Sequence, residues 1–377
     1  MPGSKQHFLP ATYLACFSTD DGFRRRKRRL AQGDSTTGQC IRTAASNLAK
    51  ITDLYTLEEH LANPNVVDDI WFEYERRLSE CIDQLIAGTV SVLDWASVLV
   101  PFVTCILVRG PDFDQRLNDR LASFGFEANY LESRIDNTKH ARIMEIQRLL
   151  APVLVAQWIV VTFREGEPLI TNDRAFVGVD PLGSGLSIPL GCNHVLQVRP
   201  RKSGIIASLR DGVWRPLISA VTTKAADRLS FNNAMAQSAR RFLFGPDCKL
   251  VKKYLLSGVR NSPSLEPADL GFIAGTHAVI HEFVWHRFVS ALHKGIAPKM
   301  KGEDFDFFFE GLKRGWVPPL IFPTNLPDFV PGLECKGEVI EATLYDPPDP
   351  MPTITRALSA DNDDPGATSV GGRPAVS

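Results

Sequence analysis

Apolar residues recur at three- and four-residue spacing through Ile70, Tyr74, Leu78, Cys81, Ile82, Leu85 and Ile86, and the pattern stops at Gly88. That period lays one apolar stripe along a helix, and a glycine after the last repeat suits the left-handed residue that ends many helices. Thr56 and Glu59 stand ahead of it at capping-box spacing. Ser91 and Asp94 repeat that spacing at the start of a second apolar stretch, predicted to run to Val108 and to stop before Gly110-Pro111. A further helix is expected from about Thr138, carrying Ile143, Ile146, Leu149 and Leu150, with Pro152 kinking or restarting it. Residues 55–157 thus read as a helical block.

The period then changes. Residues 158–163 are β-branched and aromatic, and the turn-prone Glu165-Gly166-Glu167-Pro168 separates them from Leu169-Ile170-Thr171, which predicts a hairpin. Further short strands are expected at 186–190, 195–198 and 204–209, in one small, mainly antiparallel sheet. Helical spacing returns over 231–244, ending at Gly245-Pro246, and again over 272–293 and 305–312. The fold class expected is α+β: a helical block, a small mainly antiparallel sheet and closing helices. A core domain is placed at 1–255 and a helical extension at 256–345. Residues 346–377 hold six prolines and no aromatics, and are expected to be disordered.

Composition narrows function only a little. An apolar fraction of 44% and a charged fraction of 23% exclude collagen-like, coiled-coil and wholly disordered chains. Lys+Arg 42 against Asp+Glu 43 leaves no global field, so any affinity for nucleic acid must be local. One local feature stands out: Arg24, Arg25, Arg26, Lys27, Arg28 and Arg29, followed by a polar, glycine-containing stretch to Gln39. Residues 24–39 read as a mobile basic loop. Such a run either holds a phosphate backbone by counterion release or is a solvated loop. The seven cysteines contain no C-x-x-C pair, and the first 17 residues lack the form of a secretory signal. Buried free thiols and a cytoplasmic location are expected. Residues 90–108 are apolar but carry Asp94 and Pro101, and 149–163 are too few to span a bilayer, so buried helices and no membrane partner are expected.

The string His7-Phe8-Leu9-Pro10-Ala11-Thr12-Tyr13-Leu14-Ala15-Cys16-Phe17 resembles the opening H-[YF]-[VL]-P-x-x-[YF]-L-x-x-F of the family called domain of unknown function 4238. Later landmarks resemble that family in the same order: Asp53-Leu54-Tyr55, Arg109-Gly110-Pro111, Trp158 with Leu169-Ile170-Thr171-Asn172-Asp173, Ile188-Pro189-Leu190, and a helix led by Asn232 and ending near Gly245. The resemblance covers about residues 5–250. Where the family pattern continues into a hydrophobic strand after the opening, this chain carries the 24–29 run, which sets its first hairpin in question. The resemblance implies domain limits and candidate positions, and supplies no reaction.

Asp173 follows a strand, where a carboxylate can hold Mg or Mn or act as a general base, with Asn172 orienting it and Arg174 pairing with an anion. An Asx-turn closing the strand accounts for the same residues. His7 is the titratable group of an apolar segment: a base or ligand beside Asp173, or a core imidazole bonded to backbone. Asn232, Arg240 and Arg241 fall on one predicted helix, either gripping phosphate or forming a solvated helix end. His277 and His281 have metal-ligand spacing on a helix face, but Glu282 follows them rather than lying between them, which favours a packed or surface pair. Asp304, Asp306 and Glu310 flank Phe305, Phe307, Phe308 and Phe309, a metal-binding pair or an amphipathic helix. Walker, dinucleotide and nucleophile-elbow motifs are absent from the sequence.

These residues frame three expectations. The first is a metal-assisted hydrolase acting on nucleic acid, with Asp173 and His7 catalytic, Asn172, Asn232, Arg240 and Arg241 on substrate, and the basic run holding the strand. The second is a non-catalytic nucleic-acid-binding or regulatory protein that uses the run alone. The third is a partner-binding module built on the phenylalanines of 305–309.

Overall fold

The computed structural model describes residues 5–20, 25–56, 66–116, 153–178, 185–199, 203–257, 333–336 and 339–343, with the single positions 142, 146, 149 and 201. The opening segment is core. After β1 (Lys5–His7), α1 (Ala11–Leu14) follows Pro10, and Phe8, Tyr13, Leu14 and Phe17 are fully buried. Next come β2 (Arg29–Asp34), β3 (Cys40–Ala44) and β4 (Lys50–Thr52), the last pairing antiparallel with β1.

Both helices expected from the apolar spacing are present, as α2 (Val66–Ala87) and α3 (Val92–Arg109). Gly88 stands at φ +69 and ends α2, its N–H reaching Leu85 O at 3.1 Å while Thr89 N reaches Gln84 O at 2.9 Å. Ser91 Oγ caps α3 by accepting from Asp94 N at 3.1 Å. A π-turn, Trp95–Leu99, precedes Pro101, which has no N–H to give the helix ladder. Leu78, Ile82 and Leu85 of α2 join Leu99, Phe102 and Val103 of α3 in one apolar cluster, each such side chain contributing about 1.5–3 kcal/mol. Val92–Arg109 is long and apolar enough to cross a bilayer, yet 83% of it is buried inside the fold, as in a core helix.

The strands that follow are β5 (Gln157–Phe163), β6 (Thr171–Asn172), β7 (Val177–Gly178), β8 (Leu186–Pro189), β9 (His194–Arg199), β10 (Ser203–Arg210), β11 (Val213–Pro216) and β12 (Ile218–Thr223). Then come α4 (Ala225–Ser238), β13 (Phe242–Gly245), α5 (Cys248–Ser257), β14 (Leu333–Lys336) and β15 (Val339–Thr343). The larger sheets have the orders β3-β2-β13-β6, β12-β5-β9-β8-β7 and β11-β10-β15-β14. Pairing among the described strands is antiparallel except for β12 on β5. The architecture is α+β, as expected.

Four local expectations are corrected. Residues 158–163 do not form a hairpin with 169–171; β5 pairs with β9 and β12, and β6 joins another sheet through β13. The cause lies in α4, whose buried Arg228 donates to Phe163 O, Gly166 O and Glu167 O, while Asn232 accepts from Ile170 N and donates to Pro168 O. Helix side chains thus satisfy the backbone that a hairpin ladder would have used. Residues 24–39 are not a loop throughout: Arg25–Lys27 is a 3-10 turn, and 29–34 pair with 40–44 as a hairpin, its turn held by Asp34 Oδ1 accepting from Thr36 N and Thr37 N.

The expected helix over 231–244 ends at Ser238, and 242–245 pair with β2 and β6. Of the expected helical extension 256–345, the described residues 333–336 and 339–343 are strands attached to β10. His277, His281, Glu282, the 304–310 segment and the 346–377 tail lie outside the described residues.

Candidate functional site

Strand β2 organises the charged residues by separating them. Its six residues span roughly 17 Å. Arg29 at one end is level with Ala44, and Asp34 at the other is level with Phe242. The basic run therefore sits at one end, and Arg240, Arg241 and Asp173 gather at the other.

At the Asp34 end, Asp173 is buried beside β13. Its Oδ1 accepts from Arg240 N at 2.9 Å, and its Oδ2 accepts from Arg241 N at 2.6 Å and Phe242 N at 2.9 Å. Those three N–H groups would have continued α4, so this carboxylate is the physical reason the helix stops and β13 begins. Burial pushes the Asp173 pKa up; the three N–H donors pull against it, and Asp112 adds to the rise. The Asx-turn belongs to the residue before: Asn172 Oδ1 accepts from Arg174 N and Ala175 N, and its Nδ2 donates to Met235 O and Ser238 Oγ. Asn232, fully buried, holds the 168–170 backbone. Arg240 and Arg241 lie beyond the end of α4, so they do not share a helix with Asn232.

Asp112, just past α3, brings three guanidinium groups together. Its Oδ2 is 3.3 Å from Arg116 Nε, 3.3 Å from Arg240 Nε and 3.6 Å from Arg174 Nε. Burial opposes ionisation of Asp112, but these cations outweigh it and hold the carboxyl below its usual range. Arg174 is brought down to about 10 by burial first and by Arg116 and Arg240 beside it. Arg241 donates Nε and Nη2 to Asp34 Oδ2, at 3.1 and 2.8 Å. This end ties the α3 exit, β6, β13 and the β2–β3 turn to one another.

At the Arg29 end, Arg25 donates to Ser79 O and pairs with Asp83, both on α2. Arg28 N returns to Arg25 O at 3.0 Å, and Ala45 N donates to Arg28 O at 2.9 Å. Asp20 receives Arg29 N and Arg42 Nη2, and Arg29 Nη2 donates to Arg42 O. Arg26 and Lys27 are exposed at the tip of this braced turn and meet no acidic partner among the described residues. Arg24 lies outside them.

His7 takes a third position. Its Nε2 hydrogen-bonds Ser46 O at 3.2 Å, and its carbonyl accepts from Arg109, a buried guanidinium that also reaches Tyr74 and Glu75 and lies 5.0 Å over the Trp71 ring. Burial, then Lys50, lowers the imidazole to about 4, with Glu75 opposing, so it is neutral at pH 7. Among the described residues, the main partners of His7 (Ser46, Lys50, Glu75 and Arg109) differ from those of Asp173 (Arg240, Arg241, Phe242 and Asp112). Among the described residues, no three His, Cys, Asp or Glu side chains come together to hold a metal.

Residues 5–247 match the family described as Protein of unknown function (DUF4238), and the chain belongs to that family. No curated protein and no solved structure matches the chain. The shared landmarks have structural work in this fold: the opening string is core, Tyr55 donates to Arg109 O, and Asn172-Asp173 close β6. Sequence reasoning missed Asp112 and Arg116; an acid and a base four residues apart after a Gly-Pro helix stop were the only local signal.

Proposed function

We propose that this protein is a non-catalytic nucleic-acid-binding protein that holds a phosphate backbone on the turn Arg25–Lys27. One observation carries the reading: Arg26 and Lys27 project into solvent from a turn whose flanks are braced by Arg25 on α2 and Arg28 O on Ala45. A braced turn keeps two cations close together without the ordering cost of a mobile loop, and phosphate contact there releases counterions without reading sequence. The chain's net charge of −1 makes this patch a local feature, one that suits contact along a short stretch of backbone.

The hydrolytic alternative asks for a carboxylate open to metal or water. Asp173 has both oxygens engaged by backbone N–H groups, and His7 has its own partners elsewhere, which ranks that reading second. One assay tests both. Purified protein and Arg26→Gln/Lys27→Gln are incubated with end-labelled single- and double-stranded DNA and RNA, with and without Mg or Mn, and scored for mobility shift and cleavage. A metal-independent shift that weakens in the double variant is expected. Metal-dependent cleavage, or a shift equal in both proteins, overturns the proposal.

A further inference from the structure

Two half-buried thiols from distant parts of the chain face each other on the flank of the β2–β3 hairpin. Cys40 opens the edge strand β3, level with Gly33, and Cys248 is the first residue of α5. Their sulfurs are 2.7 Å apart across 208 residues of sequence. A Cβ on Gly33 would meet the Val251 Cγ1 and Leu255 Cδ1 side-chain atoms at 2.5 Å, so α5 is packed closely on β2. Asp247 Oδ1 accepts from Leu250 N at 2.9 Å and fixes the first turn of α5.

From this geometry we infer that Cys40 and Cys248 form a reversible disulfide, a modification site that locks the N-terminal hairpin to α5. A tetrahedral metal is the competing use of two cysteines. Two thiolates on zinc, each about 2.3 Å from the ion, stand about 3.8 Å apart. This pair is closer, Asp247 is engaged as a cap, and no third ligand joins them among the described residues. The other half-buried thiols point elsewhere: Cys16 at Thr12 O and Cys192 at Phe17 O.

The chemistry is thiol–disulfide exchange with a small disulfide such as oxidised glutathione. One protein thiolate attacks a glutathione sulfur, forming a mixed disulfide and releasing one glutathione thiolate. The second protein thiolate then attacks the protein sulfur of that bond, closing Cys40–Cys248 and releasing the second glutathione. Two protein thiols are oxidised, one glutathione disulfide is reduced to two thiols, and the two protons lost by the protein are taken up by them.

The test equilibrates the full chain across a series of reduced to oxidised glutathione, quenches in acid, alkylates the unfolded protein and maps its peptides. The expected result is a linked Cys40–Cys248 peptide, with alkylatable thiols falling from seven to five. The melting midpoint should rise by about 5–15 °C, reversed by dithiothreitol. In Cys40→Ser the link and the thermal shift should vanish while Cys248 retains glutathione. Alkylation of both residues at the most oxidising poise, or separate glutathione adducts on each in the wild-type chain, overturns the inference. So does one-to-one binding of added zinc to the reduced protein that Cys40→Ser or Cys248→Ser removes.

Discussion

The two ends of β2 use the same residue types to opposite effect. At the Asp34 end the carboxylates are drawn into the fold and their cations are paired: Asp173 takes three backbone N–H groups, Asp112 gathers Arg116, Arg174 and Arg240, and Asp34 holds the exposed Arg241. At the Arg29 end, Asp83 and Asp20 brace Arg25 and Arg42, and Arg26 and Lys27 are left facing solvent. The contrast teaches that a charged residue's neighbours, more than its type, decide its role. A buried carboxylate whose lone pairs are filled by N–H donors builds structure, whereas an exposed cation on a braced turn remains open to a partner.

The largest effect is expected at Asp173. Asp173→Ala leaves three N–H groups without an acceptor in a buried site and should cost about 3–5 kcal/mol in urea unfolding. Asp173→Asn, which keeps one acceptor oxygen, should cost about 2 kcal/mol. A loss under about 1 kcal/mol in the alanine variant would return Asp173 to the list of groups open to a ligand.

Acid probes His7 next. Its folded pKa of about 4 lies below the ordinary 6.5, so on acidification the unfolded chain takes up the proton first. Stability should therefore be lost as pH falls from 6.5 to 4, by about 3 kcal/mol from this group. His7→Gln, which cannot titrate, should flatten that limb of the stability–pH curve; an unchanged limb would show that the imidazole is not held neutral.

Smaller still is the stability effect expected at the other end. Arg26→Gln/Lys27→Gln should change unfolding free energy by no more than about 0.5 kcal/mol, because neither side chain has an acidic partner among the described residues. A larger loss would mean that the turn's cations serve the fold. Arg241→Ala removes an exposed pair with Asp34, and the melting midpoint should not move measurably.

Helices α2 and α3 were legible because an apolar stripe is a local pattern, and Gly88 and Ser91 end and start them by local chemistry. The stop at Ser238 was not, because the carboxylate that ends α4 lies 67 positions before Arg240, whose N–H it accepts, and Phe242-Leu243-Phe244 is too short to reveal its own period. The hairpin of β2 and β3 was hidden by its charge: Arg29 and Arg42 lie on adjacent strands, and Asp20, which no spacing rule connects to them, pairs with the Arg42 guanidinium and accepts from the Arg29 backbone N–H. Asp173 and Asn172 stand out in the sequence as a polar pair after a strand, but their chemistry depends on what surrounds them. Burial and partners are tertiary facts, and they turned two candidate site residues into the clasp between β6, α4 and β13.

If the braced turn holds a phosphate backbone, the salt dependence of nucleic-acid binding reports how many of its cations take part. Affinity of the wild-type chain and of Arg26→Gln/Lys27→Gln for a labelled duplex DNA is measured from low to physiological salt. If both cations neutralise phosphates, the slope of log affinity against log salt should be shallower in the variant by about 1.8, with weaker binding at every salt concentration. Equal slopes and equal affinities in the two proteins would show that Arg26 and Lys27 do not contact phosphate.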